Sequence, residues 1–193
     1  MNDFDERSSA IDDLTGDYAF DPAHTRIGFV ARHAMVTKVR GTFTQFEGSF
    51  HLDAADPTRS SVQLAIQADS IDTGQEQRDA HLRTNDFLDV PNHPQLVFQS
   101  KEIKPVDEDV YSVTGDLTIK GVTRPVTLEV EFTGSAKDPF GNMRAGFEGR
   151  TTINRTEWGV NWNAALETGG FLVSEKVVLE IDVSGIKQAD SAG

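Results

Sequence analysis

The chain has 193 residues, of which 37% are apolar, and this suits one globular domain with its own core. Its 31 acidic and 18 basic residues give a formal net charge of −13, which disfavours binding to nucleic acid or to anionic headgroups unless cations gather in a local patch. The lack of cysteine excludes disulfides, thiolate catalysis and cysteine-ligated zinc. Stable membrane insertion is not expected, because the sequence has no apolar run long enough to span a bilayer.

Neither end of the chain is predicted to carry chemistry. Residues 1–15 are rich in acidic side chains and lack the basic start and apolar stretch of a secretory signal. They therefore predict a disordered acidic arm and a cytoplasmic location. Residues 188–193 predict a disordered tail. No linker divides the residues between these ends, so 16–187 is predicted to form a single domain.

The body of the chain alternates apolar and polar residues with a period of two. The alternation is clear in four runs, 62–68, 111–119, 126–133 and 177–184, and weaker over 26–32, 36–43, 46–52, 95–103 and 145–153. Such alternation is typical of antiparallel strands with one apolar and one wet face. Turn-forming residues separate several runs, as in Asp138-Pro-Phe-Gly141. Eight or nine such strands predict an all-β fold, either a closed up-and-down barrel or a sandwich.

One stretch breaks the alternation and predicts a short helical insertion around residues 74–88. Thr73 and Glu76 have the spacing of a capping box, which predicts that the helix begins there. Asp79 and Arg83 are spaced to pair on the helix surface. We expect this helix to cross one end or one side of the barrel.

Motifs for catalysis and metal binding are missing from the sequence. The five histidines form no HxH, HxxxH or HExxH pair, and no GxSxG frames a serine. Gly169-Gly170 stands before a strand rather than a helix, so it is no phosphate loop. We predict no metal, no cofactor and no enzymatic activity. An enzyme that acts on an apolar substrate through a His–Arg–Asp group near His81 is the alternative.

Phenylalanine dominates the aromatic residues, with 12 Phe against 2 Trp and 2 Tyr. Its side chain has no polar group and therefore lines dry volume. An eight-stranded barrel leaves room for packed side chains or for one small ligand, so an apolar ligand and an ordinary core both remain open. The residues on the apolar phase of their strands, which we expect to line the interior, are Phe29, Val62, Leu64, Ile66, Phe98, Leu117, Leu128 and Phe147.

A series of short motifs, in order and spacing, resembles the YceI-like family. The series is Tyr18-Ala-Phe-Asp-Pro-Ala-His24 with the run to His33, Val39-Arg-Gly-Thr-Phe43, Phe46-Glu-Gly48, Ser70-Ile-Asp-Thr73, Arg78-Asp-Ala-His-Leu82, His93-Pro94, Gly115-Asp-Leu-Thr-Ile-Lys-Gly121 and the stretch from Arg155 to Gly159. It covers about 18–187. Two positions depart from the usual pattern, because Tyr18 stands where the family often has Trp and Thr25 where it usually has Ser.

The resemblance implies a lipocalin-like, extended eight-stranded antiparallel barrel with an elongated apolar channel. It implies non-enzymatic binding, storage or transport of a long isoprenoid lipid, such as a polyprenyl phosphate or a prenylated quinone. Many members are periplasmic. A stress-related interaction scaffold without a ligand is a further alternative, and the oligomeric state, with a homodimer among the candidates, is left open. The polar residues that would hold a head group, or instead fix the helix and strands, are His24, Arg32, His33, Arg78, Asp79, His81 and Arg155.

Overall fold

The computed structural model describes residues 14–190, so most of the predicted acidic arm and the last residues of the predicted tail lie outside it. The strands are β1 (Gly16–Phe20), β2 (Arg26–His33), β3 (Thr37–Phe43), β4 (Phe46–Leu52), β5 (Ser61–Gln67), β6 (Ile71–Asp72), β7 (Gln95–Asp107), β8 (Val110–Ile119), β9 (Val122–Lys137), β10 (Met143–Asn154) and β11 (Lys176–Lys187). One α-helix, α1 (Glu76–Leu82), and three 3-10 turns, Pro57–Arg59, Ala68–Ser70 and Arg155–Trp158, complete the described elements.

The strand segments form one closed antiparallel barrel of eight continuous or bent strands. β1 and β2 both pair with β11 and act as one bent strand, and β3 continues into β4 after a break of two residues. β5 and β6 form a third bent strand around the 3-10 turn Ala68–Ser70. Neighbours along the chain are then neighbours in the sheet, and β1 closes on β11. The prediction of an eight-stranded barrel with a short helix is confirmed, and a sandwich is excluded.

The period-two pattern becomes the two faces of the barrel wall. In β8, Val113, Leu117 and Ile119 are buried inside the barrel. Between them, Thr114 and Thr118 point outward, and each bonds through its hydroxyl to a threonine of β9, at 2.8 and 2.7 Å. Cross-strand pairs of this kind help to fix the register of a sheet. A slip by one residue would expose the apolar side chains to solvent.

The two ends of the barrel differ in what covers them. The helix end carries the β2–β3 turn (34–36), the segment 73–94 with α1, the β8–β9 turn (120–121) and the β10–β11 loop (155–175). The loop end carries the β4–β5 loop (53–60), the β7–β8 turn (108–109) and the β9–β10 turn (138–142). Trp158 seals the helix end, because it is 1% exposed and its indole N–H donates to the Leu117 carbonyl at 2.9 Å.

The helix forms where it was predicted, but two of its predicted side-chain interactions are wrong. Gln75, not Thr73, is the N-cap, and it makes no side-chain capping bond. Thr73 instead donates through its N–H and its hydroxyl to the Asp79 carboxylate. Asp79 is thereby buried and turned away from Arg83, whose Nε lies 3.3 Å from Asp69 Oδ1. The predicted pair of Asp79 and Arg83 does not form, because Asp79 accepts hydrogen bonds from the loop that precedes the helix.

An ion-pair network fastens the loop end. Arg144 donates through Nη1 to Asp21 at 2.7 Å and through Nε to Asp138 at 2.9 Å. The Arg144 and His24 bonds lower the pKa of Asp21 to about 2. Backbone N–H donation from Asn142, followed by Arg144, lowers that of Asp138 to about 2. The network ties the β9–β10 turn to the segment that joins β1 and β2.

Candidate functional site

An apolar cavity of about 190 Å³ lies inside the barrel. Four of the 27 residues along its wall carry a polar side chain, and the wall includes no Lys or Arg among the residues that the structure describes. In β8 the wall runs from Tyr111 to Ile119, eight residue steps, which at about 3.4 Å each correspond to about 27 Å of strand. The cavity is therefore long, narrow and apolar, a channel rather than a cleft.

Most of the residues that were predicted to face the interior lie on this wall. The structure places seven of the eight there: Val62, Leu64, Ile66, Phe98, Leu117, Leu128 and Phe147. Phe29 is the exception, since it shares the inward phase of Ile27 and Phe43 in the register but is not part of the wall. Its ring packs on Phe43 at 5.7 Å between centroids and covers Gly41, so it stays half-buried in the β2–β3 hairpin, outside the cavity wall.

An aromatic cluster supports the wall near β1. The ring of Phe50 stacks on Tyr18 at 4.8 Å and meets Phe147 edge-on at 5.4 Å. Gly185 makes this possible, since a Cβ there would lie 2.4 Å from the Phe50 ring. Tyr18 is buried and donates its hydroxyl to the Leu14 carbonyl at 2.8 Å, and burial raises its pKa. These contacts fix the width of the channel on this side.

The polar wall residues gather at the loop end. They are His51, Ser60, Ser61 and Tyr111. His51 Nδ1 lies 2.8 Å from Asp17 Oδ1, and the Ser60 hydroxyl accepts the Asp53 N–H at 2.9 Å. Burial, and then the negative charge of Asp109, raises the pKa of the Tyr111 hydroxyl. These residues lie at the loop-end mouth of the channel beside acidic side chains. The channel surface itself is apolar, since His51 and Ser61 have the opposite phase to the inward Phe50 and Val62.

Arg155, predicted as a head-group or structural residue, lies outside the channel wall in the seal of the helix end. It is 6% exposed, and its guanidinium donates to the carbonyls of Val160 at 2.6 Å, Ser174 at 2.9 Å and Val173 at 3.4 Å. Burial lowers its pKa, and Glu175 offsets part of that effect. Because these bonds join both sides of the β10–β11 loop, Arg155 acts as a structural anchor.

The three polar helix residues also lie outside the wall. Arg78 donates to the Thr73 hydroxyl at 2.7 Å and to its carbonyl at 2.8 Å, and Asp79 accepts from the same residue, so both tie α1 to the end of β6. His81 Nε2 lies 2.8 Å from Asp86, and its ring meets Trp162 edge-on at 4.7 Å. The helix is thus held by its polar residues, and His81 links it to the β10–β11 loop.

The remaining polar candidates lie on the outside of the barrel. His24 is exposed and bonds to Asp21 at 2.7 Å. Arg32 and His33 are exposed at the end of β2, where Arg32 donates to the Val36 carbonyl at 3.2 Å. None of the seven polar candidates lines the channel. Sequence reasoning missed the four polar residues that do, although Tyr111 shares the apolar phase of 111–119 and could have been found from it.

Residues 14–190 contain no helix long and apolar enough to cross a bilayer. Within the same range, no three His, Asp or Glu side chains come together as a metal site would require. The channel is therefore the feature of the described structure most suited to a ligand.

Comparisons with known proteins agree with the resemblance seen in the sequence. Residues 18–185 match the model of the YceI-like domain. A UPF0312 protein of Ectopseudomonas mendocina is 37% identical over 177 residues, 91% of this chain and 90% of the relative. One of Staphylococcus epidermidis is 42% identical over 164 residues, 84% of this chain and 93% of the relative.

Solved structures share the barrel. BcnA of Burkholderia cenocepacia superposes with a TM-score of 0.76 at 26% identity, covering 86% of this chain and 98% of BcnA. A polyisoprenoid binding domain of Saccharophagus degradans, implicated in plant cell wall breakdown, gives 0.66 at 14% identity over 89% of this chain and 98% of that one, a likeness of fold alone. The family model and the relatives together establish that the chain belongs to the YceI-like family.

Proposed function

We propose that the barrel binds a long isoprenoid lipid in its channel, for storage or transport and without catalysis. The observation that carries this proposal is the long cavity with an apolar surface. The shared fold with a polyisoprenoid binding domain supports it. The alternative enzyme hypothesis places a His–Arg–Asp group near His81. This residue lies outside the cavity wall and contacts Asp86 and Trp162.

The cavity size sets how such a lipid fits. Its volume of about 190 Å³ exceeds the roughly 150 Å³ of an apolar cavity that holds benzene and falls below the roughly 300–1,000 Å³ of pockets for drug-sized ligands. A linear row of isoprene units matches this narrow shape. By the comparison with benzene, the cavity as it stands takes about eight carbons, which at about 0.8 kcal/mol each give about 6 kcal/mol. A twenty-carbon tail must displace wall side chains to gain about 16 kcal/mol, against about 4–15 kcal/mol for the cost of association.

The channel favours a neutral head group. Its wall carries no Lys or Arg among the residues that the structure describes, and its loop-end mouth, formed by His51, Ser60, Ser61 and Tyr111, lies close to Asp17 and Asp109. A phosphate needs cations to replace its water, whereas quinone carbonyls need only donors. Of the two predicted lipid classes, we therefore favour a prenylated quinone, with its ring at the loop end and its tail toward Trp158.

Native mass spectrometry with lipid extraction of the purified protein tests the proposal directly. We expect a co-purified prenyl lipid, released by organic solvent. Titration of the delipidated protein with quinones of increasing prenyl length then resolves the tail. Affinity should rise with length until the channel is full, and it should respond weakly to salt because apolar burial is not screened.

A matched series of polyprenyl phosphates completes the test. Weaker binding of each phosphate than of the quinone with the same tail would support the neutral head group. Equal affinity for short and long tails together with strong salt dependence would contradict the channel and indicate a head-group receptor. A cytoplasmic location remains part of the proposal, and cell fractionation with an antibody against the protein tests it.

A further inference from the structure

The β2–β3 hairpin carries an unusual set of charges. Residues 22–46 contain four Lys or Arg and no Asp or Glu, within a chain of net charge −13. Lys38 lies directly opposite Arg32 in the register, and Arg40 opposite Val30, so all three cations project from the outer face of the hairpin. Like charges directly opposite each other destabilise a strand pair. The hairpin therefore keeps an arrangement that folding alone disfavours.

A fourth cation extends this face onto the next strand. Lys176 starts β11 two residues before Val178, which pairs with Val30, and this places Lys176 beside Arg32. We call Arg32, Lys38, Arg40 and Lys176 the basic face. No ion pair joins any of them to an acidic side chain within residues 14–190. Of the neighbouring acidic residues, Glu175 directly precedes Lys176 and its charge acts on Arg155. Glu180, four positions after Lys176, is engaged by Arg26 at 4.0 Å and Arg150 at 3.2 Å.

The tip of the hairpin presents apolar side chains to solvent. Met35 is 62% and Val36 75% exposed. Phe171 of the β10–β11 loop is 54% exposed and lies beside them, since the Ala34 N–H donates to Leu172 at 2.7 Å and a Cβ on Gly170 would lie 3.6 Å from Met35. We call Met35, Val36 and Phe171 the apolar tip. It borders the basic face at Arg32.

The backbone of the turn is strained for the residues it contains. Ala34 and Met35 have φ of 52° and 63°, and the Val36 N–H donates to the His33 carbonyl at 3.1 Å. A hairpin turn with two positive φ values strongly favours Asn-Gly. An exposed methionine at such a position gains nothing from the folded barrel, and strain of this kind points to a role outside folding.

We propose that the basic face and the apolar tip dock the protein on the surface of an anionic phospholipid bilayer. Lysine and arginine attract anionic headgroups, while exposed apolar side chains between them enter the headgroup boundary. The acidic remainder of the surface does not prevent this, because charges more than about 8 Å away are largely screened at physiological ionic strength. An acidic protein would match the cations but leave the apolar tip in water. The proposal rests on the hairpin together with Lys176 and Phe171, and it would hold whatever the channel binds.

Flotation with isoprenoid-free vesicles tests the basic face. We expect the wild type to float with vesicles of phosphatidylcholine and phosphatidylglycerol, to stay in solution with pure phosphatidylcholine, and to be released by high salt. The triple variant Lys38→Gln, Arg40→Gln, Lys176→Gln should weaken binding on the order of 100-fold. Its matched control, Arg59→Gln, Lys101→Gln, Lys104→Gln, removes the same charge from other parts of the surface and should bind like the wild type. Equal losses in both variants would overturn the proposal.

A second variant separates docking from folding. The double change Ala34→Asn, Met35→Gly installs the preferred turn residues and removes the exposed side chain, so it should raise Tm while it weakens vesicle binding roughly tenfold. Unchanged vesicle binding in this variant would contradict a role of the tip. If the wild type bound soluble polyglutamate but not anionic vesicles, membrane docking would be overturned and an acidic polypeptide would be the partner instead. Quinone titration of the same variants in solution reports on the channel separately.

Discussion

Filling the channel should stabilise the lipid-free protein and weaken lipid binding at the same time. Val113 is buried, lies on the cavity wall and pairs with Leu128, another wall residue. Val113→Phe adds four side-chain carbons inside the barrel, and at about 0.8 kcal/mol each they give an upper limit of about 3 kcal/mol. Side-chain ordering and local repacking reduce this, so we expect a gain of about 1 kcal/mol, or roughly 2–4 °C in Tm.

The same ring occupies the space of about one isoprene unit. Loss of about 3 kcal/mol of tail burial corresponds to roughly 100-fold weaker binding. Urea unfolding of the delipidated protein and titration with one prenylated quinone measure the two effects. Val97→Phe is the matched control, since Val97 lies on β7 with its side chain partly exposed, and it should change neither quantity appreciably. Quinone affinity that stays at the wild-type value in Val113→Phe would refute the view that the tail occupies the channel at this level.

Three further predictions concern the residues that hold the two ends. Arg144→Gln should lower Tm at pH 7 by a few degrees, because Asp21 and Asp138 lose their cation. A carboxylate whose pKa is lowered by folding stabilises the folded protein at pH values above its ordinary pKa of 3.8. The difference in Tm from the wild type should therefore vanish as the pH falls toward about 2. Arg155→Met should cost about 3 kcal/mol in urea unfolding, since buried carbonyls lose their donor, and an unchanged midpoint would contradict an anchoring role. His81→Ala should lose about 1–2 kcal/mol of stability with its ring and carboxylate contacts, and lost function at full stability would instead favour the enzyme hypothesis.

The barrel could be predicted from the sequence because the apolar phase of each strand is a local property. Val62, Leu64 and Ile66 alternate with Gln63 and Ala65 and lie on the cavity wall. Phe29 follows the same rule, yet its ring lies over Gly41 and packs on Phe43 instead of reaching the wall. A strand's phase predicts the face of a side chain, whereas its contact with the cavity depends on the side chains packed beside it.

The hydrogen-bond partners of polar side chains were harder to predict, because a short polar side chain can bond to any of several neighbours. Thr73 and Glu76 have the spacing of a capping box, but Asp79 takes both donors of Thr73 and closes the loop before the helix. The polar residues at the loop-end mouth were missed for a different reason. His51 and Ser61 lie on the outward phase of β4 and β5, and Ser60 lies in the loop between these strands, so periodicity did not place them beside the channel.

Net charge was a poor guide to the surface for a physical reason. A total of −13 describes the field far from the molecule, but at physiological salt each surface region responds to charges within about one Debye length. Pairing in the register assembles Arg32, Lys38 and Arg40 from two strands, and the start of β11 adds Lys176. A local cluster of this kind becomes visible only when the pairing of the strands is known.

The motifs that identify the family and the residues that would bind its ligand are largely different sets. The recognisable motifs include Arg78, Asp79, His81 and Arg155. All four form hydrogen bonds that close the helix end of the barrel. The wall consists mainly of aliphatic and phenylalanine side chains, which can exchange size with one another at modest cost. It follows that the polar motif residues close the helix end, while the width of the channel is set by other residues. Six of these lie within the motifs, and the rest of the wall lies outside them: Phe20, Ile27, Gly28, Phe43, Leu117 and Ile119 are the six.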